Sequence, residues 1–125
     1  MKISPMKINL NEKFKKFNQY WHPYILGELN DNHIKIARLK GEFVWHQHTD
    51  EDELFIVIQG TLLIDFPDRT ETVSPGEIII VPKGVEHRPR TKGDEEVQIM
   101  LVEPKSTRHT GDNITDRTVI DQKWV

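Results

Sequence analysis

Two stretches of this chain predict its fold and its chemistry. Residues 41–60 read GEFVWHQHTDEDELFIVIQG, and residues 76–91 read GEIIIVPKGVEHRPRT. Together they carry three of the six histidines and four of the seven glycines. Each combines an extended apolar run with a turn-forming segment, so we expect both to form strand–turn–strand units.

Four side chains in these stretches are candidate ligands of one metal ion inside a β-barrel: His46, His48, Glu53 and His87. The first two histidines are two residues apart, and side chains with that spacing on a strand share a face. The acidic run that follows them is turn-prone, so the next strand can begin in a new register with Glu53 inward. The turn at 82–84 then returns His87 beside the first strand. Imidazole and carboxylate ligands suit Fe(II), Mn(II), Zn(II), Ni(II) or Cu(II).

Each of these residues has an alternative interpretation. A lone histidine on a strand is more often a surface or core side chain than a ligand, but the paired spacing favours a metal site. Glu53 belongs to an acidic stretch, and Glu51 is the competing carboxylate. We expect Glu53 to be the ligand because it directly precedes the apolar run at 54–58.

The spacing of these residues resembles the two motifs of the cupin superfamily. The first motif, G(X)5HXH(X)3–4E(X)6G, fits from His46 to Gly60, while Gly41 lies one residue nearer to His46 than the pattern has it. The second, G(X)5PXG(X)2H(X)3N, fits from Gly76, and Thr91 stands in place of its final asparagine. The resemblance implies an all-β jelly-roll barrel, the cupin double-stranded β-helix, with one divalent transition metal such as Fe, Mn, Zn or Ni.

The motifs do not determine the reaction, because cupins include dioxygenases, isomerases, epimerases, decarboxylases and non-catalytic binders, and fold alone does not give function. The apolar strands predict a dry interior with little acid–base chemistry beyond Glu53, which we expect to act as a general base. That favours a dioxygenase-like metalloenzyme acting on a small organic molecule. The alternatives are a sugar isomerase or epimerase and a non-catalytic module that binds metal and a small ligand.

Length and composition limit the class of protein. A chain of 125 residues predicts one domain, with a barrel over residues 24–103, a helical segment over 9–21 and a tail over 104–125. The net charge of −3 gives no electrostatic reason to expect a nucleic-acid partner. We find no apolar run of membrane-spanning length and no secretory signal. Since cysteine is absent, we expect no thiolate ligand and a cytoplasmic location.

The remaining chain reads as one helix followed by short strands. Asn9 and Glu12 form a capping-box pattern before a helix over 11–20, whose aromatic stripe, Phe14, Phe17 and Trp21, we expect to cover the barrel. Strands are predicted at 24–29, 34–40, 43–49, 53–59, 61–66, 78–81 and 97–102. In the second of these, apolar residues alternate with Lys35 in the pattern of a half-buried strand, and the run 78–81 is typical of a strand buried on both faces.

Two further patterns predict contacts of the barrel. Phe43 and Trp45 are separated from His46 and His48 by odd numbers of residues, so on a strand their side chains would point to the opposite face. We therefore expect them on the outer face of the barrel. A second subunit in a homodimer would bury them there. Arg88 and Arg90 are one and three residues after His87, so on a strand they should face outward when His87 faces inward. The alternative is that they hold an anionic substrate. In the tail, Arg108, His109 and Arg117 either pack along the exterior or reach the mouth of the site.

Overall fold

Eight strands and one short helix make up the regular structure of the described residues, 5–107, 111 and 122–125, in this computed structural model. In chain order they are α1 Leu10–Phe14, β1 Tyr24–Leu29, β2 Asn32–Leu39, β3 Glu53–Gln59, β4 Leu62–Asp65, β5 Thr70–Val73, β6 Ile78–Val81, β7 Arg88–Arg90 and β8 Val97–Pro104. The predicted tail residues Arg108, His109 and Arg117 lie outside the described residues.

The strands form two antiparallel sheets. One has the order β1-β2-β8-β3-β6 and the other the order β5-β4-β7. Both contribute to one buried core: Ala37, Leu39, Phe55, Val57, Leu62, Ile64, Val73, Val81, Val97, Ile99 and Leu101. The predicted all-β cupin barrel with a short N-terminal helix is confirmed.

The outer face of the larger sheet has its own apolar layer. Ile36 of β2 is fully buried there against Phe14 and Leu26, whereas Lys35 faces the barrel interior with 1% of its surface exposed. The alternation along β2 was predicted, but the strand is buried on both faces rather than half-buried, with Lys35 on the interior face. The N-terminal segment covers the outer face, so both faces of β2 are buried and alternation alone does not show which one is inside.

The predicted helix is shorter than expected. Asn9 Oδ1 accepts a hydrogen bond from the Glu12 backbone N–H at 3.0 Å, so the predicted cap is present. However, the guanidinium of Arg38 donates to the carbonyls of Phe14 and Phe17 at 2.7 and 3.0 Å. These carbonyls would accept intrahelical bonds if the helix continued, and their capture by Arg38 accompanies its end at Phe14.

The strand β6 is exposed on one face, contrary to the prediction. Ile78 and Ile80 are 58% and 60% exposed, while Val81 is buried. β6 lies at the edge of the larger sheet, and the N-terminal cover packs on β1, β2 and β8 instead. A continuous apolar run therefore has one buried face and one exposed face here.

The predicted strand over residues 43–49 is extended chain rather than a continuous strand. It pairs through isolated bridges, Glu42 with Arg90 and His46 with His87. At its start, Gly41 N–H donates to Thr91 Oγ1 at 2.8 Å, and Thr91 N–H donates to Gly41 O at 2.9 Å. Thr91 thus links the start of the first motif to the end of the second, although it replaces the asparagine of the family pattern.

The last described residues pair with the edge strand β1. Ile25 N–H donates to Lys123 O at 2.8 Å, and Val125 N–H donates to Ile25 O at 3.0 Å. The end of the tail therefore extends the larger sheet at its β1 edge. Gly111, by contrast, is buried against the backbone of Gln47. None of the described helical residues forms a helix with the length and apolar character needed to cross a membrane.

The turn at Gly60 predicts a large stability difference between two glycine substitutions. Gly60 and Gly76 have φ angles of 82° and 83°, so Gly→Ala at either position places an L side chain in the left-handed region at about 1–2 kcal/mol. A Cβ at Gly60 would also lie 2.5 Å from Glu96 O, whereas at Gly76 nothing lies within 4 Å. Urea unfolding of Gly60→Ala should show a loss at least about 2 kcal/mol greater than that of Gly76→Ala. Equal losses would contradict the packing at this turn.

Candidate metal centre

The four side chains selected from the sequence come together in the barrel. His46, His48, Glu53 and His87 are all buried, and their ligand atoms lie within 4.8 Å of one another. Glu53 begins β3, His87 directly precedes β7, and the two remaining histidines lie on the extended segment before β3. This cluster could hold a metal ion.

Backbone pairing holds the two motifs together at the site. His46 N–H donates to His87 O at 3.0 Å, and His87 N–H donates to His46 O at 2.9 Å. Nearby, Gly84 N–H donates to His48 O at 2.7 Å. Each histidine is therefore positioned by main-chain hydrogen bonds as well as by the packing of its ring.

Two of the three imidazole rings are oriented by hydrogen bonds of their Nδ1 atoms. Nδ1 of His46 lies 2.9 Å from Val44 O, and Nδ1 of His87 lies 2.9 Å from Val85 O. A carbonyl accepts a hydrogen bond, so Nδ1 carries a proton in both rings, and Nε2 faces the cluster as the atom that would bind a metal once it carries no proton. His48 differs, because its Nδ1 lies 3.5 Å from the Glu51 carboxylate. Glu51 is therefore behind His48 and outside the four-residue cluster.

The distances between the ligand atoms fit a transition-metal ion. Glu53 Oε1 lies 3.0 Å from His87 Nε2 and 3.3 Å from His48 Nε2, and His46 Nε2 is buried without a hydrogen-bond partner among the described residues. Two ligand atoms that bind one ion at about 2.1 Å and at a right angle are about 3.0 Å apart. The orphaned Nε2 atom and these spacings are those expected of a metal site.

Burial and charge set the protonation of the cluster. Burial lowers the pKa of His46 to about 4, with a further contribution from His87, so this imidazole is neutral at pH 7. Burial also acts to lower the pKa of His48, but Glu53 outweighs it and the net pKa is raised. For Glu53, burial acts to raise the pKa, yet contacts with His48 and His87 hold it well below its usual range. The cluster therefore contains an ionised carboxylate beside imidazoles.

An apolar cavity reaches the cluster from one side. Its empty space, counted with its mouth, is about 350 Å³. The lining consists of two of the candidate ligands and nine apolar residues: His46, Glu53, Trp21, Pro23, Ala37, Leu39, Phe43, Phe55, Pro89, Ile99 and Leu101. A ligand bound at the cluster from this side would meet these apolar side chains.

Phe43 belongs to this cavity and not to the outer face, so the prediction for it was wrong. Its ring stacks on Trp21 at 4.6 Å and meets His46 edge-on at 5.6 Å. The segment from Phe43 to His46 is not a regular strand, so parity does not apply across it. Trp45 does lie elsewhere, half-buried with Arg88 5.4 Å from its ring centroid.

The two arginines after His87 face away from the cavity, as their alternation predicted. Arg88 Nη2 and Arg90 Nε each lie 2.8 Å from Asp65 Oδ2. Despite the opposing effect of burial, these bonds and one from Thr70 hold the pKa of Asp65 down at about 2. Both arginines are thus engaged on the exterior of the smaller sheet, and neither is placed to bind a substrate at the cluster.

The prediction of an interior without further charged groups was wrong. Lys35 Nζ donates to Glu103 Oε1 at 3.0 Å, and each side chain is only 1% exposed. A signal for one partner was present in the sequence, because Glu103 continues the two-residue spacing of the core residues Val97, Ile99 and Leu101. Lys35 gave no such signal, because a half-buried strand is expected to expose its lysine.

Comparison with known proteins supports the fold and the motifs. Residues 35–103 match the family described as the cupin domain. The uncharacterized protein YdbB of Bacillus subtilis (strain 168) is 44% identical over 69 residues, 54% of this chain and 61% of that protein. The chain thus spans about three-fifths of the length of this curated relative.

Two crystal structures are similar over most of the chain. A cupin-2 domain containing protein from Shewanella frigidimarina is 51% identical with a TM-score of 0.76, over 78% of this chain and 94% of that one. Protein NMB1881 from Neisseria meningitidis is 30% identical with a TM-score of 0.71, over 80% of this chain and all of that one (100%). Because the family match covers more than half of the residues, this chain belongs to the cupin family.

Proposed function

We propose that this protein is a metal-dependent oxidoreductase, of the dioxygenase type, that acts on a small and partly apolar substrate which chelates the metal. The observation that carries the proposal is the position of the four-residue cluster at the end of an apolar cavity. We assign the metal to the Nε2 atoms of His46, His48 and His87 and the carboxylate of Glu53. The proposal includes a cytoplasmic location.

The chemistry of the donor set supports a divalent transition metal, of which Fe(II) and Mn(II) suit reactions with dioxygen. Such an ion, when bound, would supply a Lewis acid and positions at which substrate and dioxygen can meet. Three neutral imidazoles and one carboxylate neutralise only one of its two charges. The site therefore favours a ligand with one negative charge, such as an enolate or a singly ionised catechol.

The cavity residues would orient the ligand and exclude water. Trp21 and Phe43 stack at the wall beside His46, where they can pack against an apolar part of the substrate. Glu53 lies on the cavity wall as well as in the cluster, and its low pKa keeps it ionised. We assign to its carboxylate the acceptance of a proton from the chelating hydroxyl, because a bound metal ion would lower the pKa of that hydroxyl as it does for bound water.

Two alternatives differ in what they require of the cavity. A sugar isomerase or epimerase must hold several hydroxyl groups, whereas nine of the eleven lining residues here are apolar. A non-catalytic module that binds metal and ligand would need the same cluster but would show no turnover. The assays below separate these functions.

The first prediction concerns metal binding. His48→Ala removes one ligand and should leave less than about a tenth of the metal content of the wild type, measured by elemental analysis after purification. Glu51→Ala removes only the carboxylate behind His48, so the metal should stay bound with an affinity lower by about 10-fold or more, as for other residues behind metal ligands. Protons compete with metal for imidazole, so occupancy should also fall below about pH 6.5. Full occupancy in His48→Ala would contradict the site.

The second prediction concerns turnover. Protein loaded with Fe(II) or Mn(II) should consume oxygen with at least one member of a panel of diketones, thiols, catechols and enediols. Glu53→Gln should lower the rate by about 100-fold or more if its carboxylate acts as the base, and Glu51→Gln is the matched carboxylate control. A sugar-phosphate isomerase assay runs in parallel. Isomerisation without oxygen uptake, or binding without turnover in every assay, would overturn the proposal in favour of one alternative.

We also propose that the protein is a homodimer, joined through the exposed face of β3 and β6. In the register of these strands, Leu54 is opposite Ile80 and Ile56 is opposite Ile78, which forms an aliphatic patch at the sheet edge. The neighbouring half of the same face is covered by the N-terminal segment. An uncharged aliphatic patch can pair with its own copy across a two-fold axis, and contiguous exposed apolar surface is typical of an interface.

The dimer predicts a specific pattern of variants. The double variant Ile78→Lys and Ile80→Lys should be monomeric by sedimentation velocity, because it brings four like charges together across the two-fold axis. Trp45→Glu should remain dimeric, since Trp45 packs beside Arg88 on the other sheet. A wild-type protein that sediments as a monomer at micromolar concentration would contradict the interface, as would dissociation by Trp45→Glu alone.

A further inference from the structure

A second set of buried polar side chains lies beside the metal cluster, at the end of the sheet where β2 and β3 begin and β8 ends. In the register of the sheet, His33 of β2 is opposite Glu103 of β8. Leu54 of β3 is opposite Val102, so the next position places Glu53 beside Glu103. Directly opposed residues of neighbouring strands present their side chains on the same face. Glu103 is therefore between His33 and the candidate ligand Glu53 inside the barrel.

The ion pair formed by Lys35 and Glu103 has unused hydrogen-bonding capacity. Glu103 Oε1 accepts from Lys35 Nζ, while Glu103 Oε2 is buried without a partner among the described residues. A lysine ammonium carries three N–H donors, and the one hydrogen bond described for Lys35 is to Glu103. Buried polar groups are nearly always hydrogen-bonded to protein or ordered water. The pair thus presents both a donor and an acceptor for another molecule.

Other unpartnered polar atoms lie at the same end of the barrel. They are His33 Nδ1 and Thr107 Oγ1, both buried without a hydrogen-bond partner within the described chain. Thr107 follows the end of β8 and is 5% exposed. A purely structural ion pair would be expected to have its remaining donors and acceptors satisfied by protein, and the described part of the chain does not satisfy them.

The pair lies next to the lining of the apolar cavity, two residues farther along β2 and β8. The apolar cavity extends to Ala37 and Leu101, each of which is the inward residue next to Lys35 or Glu103 along its own strand. Burial, together with the charge of Glu53, raises the pKa of Glu103 to about 7. Because the strand register places Glu103 beside Glu53, a ligand bound at the cluster would lie close to the pair.

We propose that Lys35 and Glu103 form a subsite that binds a hydroxyl group beside the metal centre. A hydroxyl oxygen accepts from Lys35 Nζ while its hydrogen is donated to Glu103 Oε2, so one group satisfies both. The hydroxyl belongs either to the substrate or to an ordered water molecule. If the substrate supplies the hydroxyl, the inference rests on the proposed function, and it narrows the substrate class to chelating compounds with one additional hydroxyl group.

The experiment uses full-length protein loaded with Zn(II), which holds probes without oxidising them. Catechol is compared with two probes that add one hydroxyl, pyrogallol and benzene-1,2,4-triol, by anaerobic calorimetry and in crystals grown with and without each probe. If the substrate supplies the hydroxyl, one of the triols should bind about 10-fold or more tightly than catechol, as expected for a hydrogen bond to charged groups.

The matched variants separate the subsite from general stability. The double variant Lys35→Met and Glu103→Leu replaces a buried ion pair with apolar side chains, a change that is often neutral for folding. It should retain Zn(II) and catechol binding but lose the preference for a triol. Lys105→Met with Glu28→Leu removes an exposed ion pair with the same change in charge, and should retain that preference.

The crystal structures test the inference independently of how the variants behave. A probe hydroxyl within hydrogen-bonding distance of both Lys35 Nζ and Glu103 Oε2 supports a substrate subsite, and a water molecule in that position with and without probes supports a water subsite. No ordered oxygen atom there in any crystal overturns the inference. A bridging water in a protein that binds no catechol and consumes no oxygen would leave the subsite standing and reject the proposed function.

Discussion

The pair of hydrogen bonds between His46 and His87 is the constraint on which the candidate site depends. Both bonds are between main-chain atoms, so they place two ligands side by side independently of the metal. The segment that carries His46 is otherwise held by isolated contacts rather than by a regular strand. This irregular backbone allows Phe43 and His46 to face the same cavity, which a strict two-residue alternation would prevent.

The second constraint is the burial of charge inside an apolar barrel. Glu53 remains ionised because two histidines contact its carboxylate, and a divalent ion would serve the same purpose. Lys35 and Glu103 neutralise each other nearby, but Glu103 Oε2 has no hydrogen-bond partner among the residues that the structure describes. Isolated buried charges are costly, so the interior of this barrel is built for ligands that carry charge or hydrogen-bonding groups of their own.

In the larger sheet, similar apolar sequences give buried or exposed side chains, depending on whether another segment covers the outer face. Its outer face is apolar from β2 to β6, but the N-terminal segment covers only the part on β1, β2 and β8. Ile36 is buried there, and Ile78 on the uncovered part is exposed. Equivalent isoleucines thus have different environments because of a segment that is distant from β6 in the chain.

The sequence by itself determined the candidate ligands and the helix cap, because these follow from local spacing: two residues between strand neighbours, three residues in a cap and the fixed turns of the two motifs. It determined the barrel through the resemblance of these motifs to those of cupins. Only the tertiary structure decided which face of β2 is inside, where the helix ends, that β6 is exposed and that Phe43 lines the cavity. The physical reason is that burial depends on which segments cover a strand, and the Arg38 bonds that accompany the helix end come from another element. The Lys35–Glu103 pair joins residues 68 positions apart, and only the pairing of β2 with β8 brings them together.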